Sequence, residues 1–246
     1  MMGMRLREDF ETKSSYWRWR VDGFAGFEIE NSVLRMWMGP TEALYYSNAE
    51  IADGEFDECP WIEARVAVKA RLLGNHFGSA GWGLWNHSMV LGLSMPIWFI
   101  YLRARSPRYP LQGFFAQIGT SFYPIKAFKS LALYALATKI VGPRGGAVIE
   151  RSKPCMQGLD LSQWHEYVIE LRSGLARLYI DGVLVAEKRV SASTRFRVDV
   201  WIDNAVYVPS KSYDAVYRHV TQENRSRAYL EIDWIEVEGK RVGEQS

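Results

Sequence analysis

Histidine and cysteine are too scarce in this chain to build much chemistry. Two cysteines, Cys59 and Cys155, supply neither a disulfide framework nor a metal cluster. Each sits beside a proline, Pro60 and Pro154, so one bridge between two loops stays open. The four histidines (His76, His87, His165, His219) show no H-x-x-x-H spacing, and no metal ligand set is read from them. Long hydrophobic runs are also missing. The most apolar stretch, Met89 to Leu102, is broken by Pro96 and is too short to span a bilayer, so it reads as a buried strand pair. The opening Met-Met-Gly-Met-Arg-Leu-Arg-Glu-Asp has no apolar core of a signal peptide, which makes the chain cytoplasmic if that start is native. Net charge is only +2, without the surplus that marks a nucleic-acid partner.

Acidic residues are missing from one place in particular. Between Ala64 and Ile149 stand ten Lys or Arg and no Asp or Glu, against six basic and thirteen acidic residues before that segment. Two explanations fit: scattered solvated charges, or a basic cleft for an acidic sugar polymer.

What is present is a large supply of core. Hydrophobic residues make up 48% and aromatics 14%, with ten Trp. The length of 246 residues suits one large β domain spanning 1–246. Strand signals recur at Ser32–Met38, Trp61–Leu72, Gly81–Trp85, Ile97–Arg103 and Gly113–Gly119. In Trp61–Leu72 apolar and charged residues alternate, as on a strand with one wet face. Pro124–Val141 fits either a helix or, over Ser130–Ile140, a buried strand. Beyond it, Trp164–Leu171, Ala176–Ile180 and Val183–Ala186 are joined by turns at Arg172-Ser173-Gly174 and Asp181-Gly182, the pattern of an antiparallel meander. Arg195–Ile202 and Tyr229–Val237 complete an all-β, two-sheet antiparallel jelly-roll sandwich with at most one short helix.

Several stretches resemble the concanavalin A-like lectins and glucanases, above all glycoside hydrolase family sixteen, the laminarinases and lichenases. They are Glu8-Asp9-Phe10-Glu11, Asn31-Ser32-Val33-Leu34-Arg35, Tyr46 to Ile51 followed by Trp61-Ile62-Glu63-Ala64-Arg65, and the closing Tyr229–Glu238. The most specific is Trp164-His165-Glu166-Tyr167 leading to Leu178-Tyr179-Ile180-Asp181-Gly182. Gly81-Trp82-Gly83-Leu84-Trp85-Asn86-His87 resembles the family's G-x-W-P-A-x-W strand, which lies beside the catalytic one. These motifs mark fold rather than chemistry. The resemblance implies a sugar-facing scaffold; relatives hold a structural Ca²⁺, although no ligand cluster stands out here, and no other cofactor is implied.

The family's carboxylates, E-x-D-x-E or E-x-D-x-x-E, belong on a strand matched here to Gly113–Gly119, which carries Gln117 instead of acids. Glu231-Ile232-Asp233-Trp234-Ile235-Glu236 has the letters of that motif but lies on the closing strand, with Leu230, Ile232 and Trp234 expected to face the core. Asp199-Val200-Trp201-Ile202-Asp203 is the better candidate, with Asp199, Trp201 and Asp203 on one face over buried Val198, Val200 and Ile202. An indole between two acceptors suits a pyranose. Trp85, Asn86 and Gln117 join these three as candidate sugar contacts, and of Trp82 and Trp85 one belongs to the core.

Three functions are compatible with these residues. The first is a lectin-like protein binding an oligo- or polysaccharide. The second is an atypical enzyme, either a hydrolase using Asp199 and Asp203 or a polysaccharide lyase. In the lyase version Gln117-Ile118 resembles that group's Q-I-H, Gly119 stands in place of the histidine, His87 or Tyr123 acts as base, and Arg103 or Arg105 neutralises a uronate. The third is a scaffold for an apolar ligand or protein partner, suggested by the apolar run from Met89 to Leu136.

Overall fold

The computed structural model of the chain describes residues 4–55, 58–86, 95–105, 109, 111–128, 148–150, 156, 158–191, 193–206 and 220–243. Sixteen strands and no helix occur among them. They are β1 (Met4–Glu8), β2 (Arg18–Asp22), β3 (Ala25–Glu30), β4 (Val33–Met38), β5 (Asn48–Ala52), β6 (Trp61–Leu73), β7 (Gly78–Trp85), β8 (Ile97–Arg103) and β9 (Gly113–Ile118). The remainder are β10 (Ser121–Ala127), β11 (Val148–Ile149), β12 (His165–Arg172), β13 (Leu175–Ile180), β14 (Val183–Arg189), β15 (Arg197–Asp203) and β16 (Ala228–Arg241). One sheet runs β14-β13-β12-β6-β16-β4-β3, with β1 added against β16. The other runs β11-β10-β9-β8-β7-β15-β5-β2. Pairing is antiparallel throughout except between β10 and β11. The expected jelly-roll sandwich is therefore the fold.

Local chemistry explains the hairpins. Between β12 and β13 both Ser173 and Gly174 have positive φ (49° and 70°), and between β13 and β14 so do Asp181 and Gly182 (48° and 78°). Two such residues make a type I′ turn, whose twist matches that of the strands it joins. The two sheets meet through aromatic side chains. Tyr167 of β12 lies 4.7 Å from the Trp82 ring, 5.1 Å from Phe99 and 5.7 Å from Phe114, so one residue of the first sheet holds three strands of the second. Each such ring contributes about 2–3 kcal/mol by leaving water. Trp82 is thus the core member of its pair, and Trp85 points to the other side of β7.

The closing strand departs from expectation. A register shift between Ile232 and Trp234 reverses the alternation midway along β16. Leu230, Ile232, Ile235 and Val237 enter the core, while Trp234 faces outward with the Arg7 guanidinium 4.5 Å above its ring. Glu231 does face away from the core but is not solvent-exposed. It is 1% exposed, held by Arg35 and Arg71 at 2.7 Å each. The outer face of this sheet also takes Arg65 and Lys69, paired with Glu170, Glu236 and Asp233. Three of the ten basic residues between Ala64 and Ile149 are therefore neutralised on this sheet.

Of the Pro124–Val141 segment, left between helix and strand, Pro124–Ala127 belongs to β10, so no helix starts at Pro124, and Ser130–Ile140 lies outside the described residues, as do Cys155 and His87. No helix among the described residues is long and apolar enough to cross a membrane. Replacing Glu231 with alanine leaves two guanidiniums without their shared carboxylate. It should lower the unfolding free energy by about 3 kcal/mol, read from urea denaturation, with Glu231→Gln losing less.

Candidate functional site

The strand that follows β7 and pairs with it is β8, not β9. The strand matched to the family's catalytic position, Gly113–Ile118, lies one place further across the sheet. β7's other neighbour is β15, so Asp199 and Asp203 flank the strand with the W-x-x-W pattern from the opposite side. The pairing registers set three rows on the outer face of this sheet. One runs Arg20, Glu50, Trp201, Gly81, Ile100, Phe115; a second runs Arg18, Ala52, Asp199, Gly83, Trp98, Gln117; a third runs Asp22, Asn48, Asp203, Ser79, Leu102.

Alternation along β15 is as expected, with Val198, Val200 and Ile202 in the core and Asp199, Trp201 and Asp203 on the far side. The far side, however, is not open. Asp199 is 1% exposed and both Trp201 and Asp203 are 8% exposed. The Trp201 indole occupies the space left by Gly81, where an added Cβ would come within 2.6 Å of its ring. Its Nε1 donates to Ser79 Oγ at 2.9 Å, and the ring lies 4.5 Å from Trp98. Trp98 in turn meets Trp85 at 5.6 Å. Trp85 and Trp98 are half-buried and form the accessible end of this aromatic row.

The other candidates are committed within the protein. Gln117 accepts from Trp98 Nε1 at 2.7 Å and donates to the Gly119 carbonyl at 2.7 Å. Asn86 accepts from the Met95 amide. Asp203 Oδ1 accepts from Ser79 Oγ, the Ser79 amide and the Ala205 amide. Tyr123 packs against the main core on the opposite side of the sheet from Gln117, and burial pushes its hydroxyl up to about 12, which unfits it as a base. Arg103 stacks on Phe77, and Arg105 pairs with Glu223 at 3.1 Å. Among the described residues, Gln117, Tyr123, Arg103 and Arg105 are thus not brought together. A second apolar cluster of Ile100, Leu102, Leu111, Phe115, Phe122 and Trp201 occupies the outer face of β8, β9 and β10.

Sequence reasoning missed the network beside Trp201. Arg197 has no exposed side-chain surface, and its Nη2 lies 2.9 Å from Asp199 and 3.5 Å from Glu50. Arg20 pairs with the same Glu50 at 2.5 Å and with Glu55 at 2.9 Å. Glu50 sits in Asn48-Ala49-Glu50-Ile51, read only as a fold motif; its place opposite Trp201 depends on the pairing of β5 with β15. Burial and the neighbouring Glu50 carboxylate hold the Asp199 carboxyl well above its ordinary range. Asp199 Oδ1 and Asn48 Oδ1 are both buried without a hydrogen-bond partner. No group of three or more His, Cys, Asp or Glu among the described residues is arranged to hold a metal ion.

Burial likewise raises Asp203 to about 7 and Asp53 to about 6. A carboxyl raised in the folded state stabilises the fold fully below its unfolded value near 4, and that contribution is lost as pH rises through the folded value. The thermal midpoint should therefore fall between pH 5 and pH 8. Asp203→Asn, which keeps an acceptor for Ser79, should fall less across the same range in a pH series of thermal melts.

No protein-family model matches the chain, and no curated protein matches it in sequence. Solved structures do match. The kappa-carrageenase of Pseudoalteromonas carrageenovora aligns with a TM-score of 0.59 over 98% of this chain and 96% of its own, at 10% identity. A Flavobacterium laminarinase gives 0.57 over 95% and 98%, at 13% identity. The β-glucanase of Bacillus licheniformis gives 0.55 over 98% and 100%, at 10% identity. Identities this low speak for fold alone, and that fold is the concanavalin A-like jelly roll to which the Trp164–Gly182 hairpins pointed.

Proposed function

We propose that this chain is a glycan-binding jelly roll that takes a saccharide on the outer face of the β7–β8–β15 strands. The observation that carries this reading is the contiguous row Trp85, Trp98, Trp201, half-buried at one end and bordered along β5 and β15 by carboxylates, amides and guanidiniums. Flat indoles stack on the apolar face of a pyranose while polar groups beside them meet its hydroxyls. The structural neighbours favour the same ligand class, since they include a carrageenase solved with an oligotetrasaccharide of kappa-carrageenan and a laminarinase. Asp203 supports binding over hydrolysis, because three protein donors occupy the one oxygen Oδ1.

One observation favours a second reading, a retaining glycoside hydrolase with a different acid pair. Glu50 Oε1 and Asp199 Oδ2 approach the same Arg197 nitrogen at 3.5 and 2.9 Å, so they stand within about 6.5 Å of one another. That matches the spacing of about 5–5.5 Å in retaining enzymes better than the roughly 6.5–9.5 Å of inverting ones. Asp199, its carboxyl raised by burial and by the neighbouring Glu50 carboxylate, would be the acid and Glu50 the nucleophile.

A glycan array followed by titration calorimetry tests the first reading. Trp98→Ala should weaken binding of the best glycan by about tenfold or more, equivalent to about 1.4 kcal/mol, with its far-ultraviolet spectrum unchanged. Binding equal to wild type would overturn the stacking role. A reducing-sugar assay tests the second reading. Turnover that persists in the Glu50→Gln, Asp199→Asn double variant rules out this acid pair.

A further inference from the structure

The outer face along β2, β5 and β15 carries an unusual combination of paired charge and unpaired acceptors. Its guanidiniums among the described residues, Arg18, Arg20 and Arg197, each have carboxylate partners: Glu55 at 3.0 Å, Glu50 at 2.5 Å and Asp199 at 2.9 Å. Asp22 and Asp203 add carboxyls to the same face. Even with Asp199 and Asp203 carrying protons, cation does not exceed anion there. A sulfate or uronate would have to draw a guanidinium away from its carboxylate and then sit against Glu50. Truncating such a pair in a buried setting is strongly unfavourable.

Hydrogen-bond demand points the other way. Asn48 and Asp199 are 5% and 1% exposed, and each presents a buried side-chain oxygen without a partner. Buried acceptors are rarely left so. Asn48 Nδ2 is already spent on Glu50 Oε2 at 3.2 Å, and Asp199 Oδ2 is spent on Arg197, so the free capacity is on Oδ1 in both. In register the two oxygens stand on either side of the Glu50–Trp201 pair. Four residues of strand separate their rows, about 13 Å, more than one pyranose ring spans.

We infer that Asn48 and Asp199 are the polar anchors of an uncharged, hydroxyl-rich oligosaccharide that lies along β5 and β15 across the Trp201 row, and that they select it over sulfated or uronic glycans. A hydroxyl both donates and accepts. It satisfies Asn48 Oδ1 as a donor and satisfies Asp199 in either protonation state, which a sulfate cannot. The inference rests on the glycan-binding reading and adds to it the charge class of the ligand. It also distinguishes between the neutral β-glucan chemistry and the sulfated chemistry represented among proteins that share this fold.

The experiment is calorimetry on the full chain with two probes, a neutral β-glucan hexasaccharide and a kappa-carrageenan oligosaccharide of similar length, against wild type, Asn48→Ala and Asp199→Asn. Wild type should bind the neutral probe at least about tenfold more tightly than the sulfated one. Asn48→Ala should lose about five- to tenfold on the neutral probe alone. Asp199→Asn should lose a similar factor and gain affinity for the sulfated probe, because Arg197 then lacks its anion. Asp199→Asn removes a buried countercharge, so Asn48→Ala carries the test if that variant does not fold. Sulfated binding as tight as neutral, or neutral binding unchanged in Asn48→Ala, overturns the inference while leaving glycan binding standing. Binding of neither probe, nor of any glycan on the array, counts against the glycan reading itself and takes the inference with it.

Discussion

A guanidinium cannot shed its proton inside a protein, so the complete burial of Arg197 constrains everything around it. Negative charge must come to it. Asp199, two residues along the same face of β15, and Glu50, across the strand pair, supply that charge. Burial raises the Asp199 carboxyl, and the press of the second carboxyl drawn to the same cation adds to it. Arg20 steadies Glu50 from β2, and Glu55 links Arg20 with Arg18 at the rim. The outer face of this half of the sheet is in effect the solution to the burial of one arginine.

The opposite sheet solves the inverse problem. There the buried charge is Glu231, and the groups drawn to it are Arg35 and Arg71. Arg65 and Lys69 continue the pattern along β6, paired to acids on β12 and β16. Three basic residues of the acid-poor segment, Arg65, Lys69 and Arg71, thus find their counter-ions on strands far away in the chain. A basic cleft for an acidic polymer is not formed by these three residues, whose charge is met on this sheet.

Between these two faces lies a core whose aromatic members come from both sheets, and that core fixes which face of each strand is free. Trp82 is drawn inward against Tyr167, which leaves Trp85 for the outside. Trp201 fits over Gly81 because no side chain occupies that position. The aromatic row Trp85, Trp98, Trp201 is therefore a consequence of packing on the other side of the same strands. The fold is shared with glycanases, and the row is set by this chain's own packing.

Local pattern was sufficient for the strands, the I′ turns at Ser173-Gly174 and Asp181-Gly182, the face assignment of Asp199, Trp201 and Asp203, and the jelly-roll class. Each of those follows from period-two alternation or from turn chemistry within a few residues. The register of β16 did not follow, because the bulge before Trp234 is set by pairing with β6 and makes Trp234 an outward residue. Nor did β1, β2, β3, β5, β10 and β11, whose pairing rather than composition defines them. The partnership of Glu50 with Asp199 and Arg197 joins residues about 150 positions apart, a relation that no spacing rule expresses. Sequence by itself determined which side chains share a strand face wherever no bulge interrupts the strand. Tertiary structure decided which faces meet and which charges are buried, because burial and counter-ion choice are properties of strands brought together across the sheet.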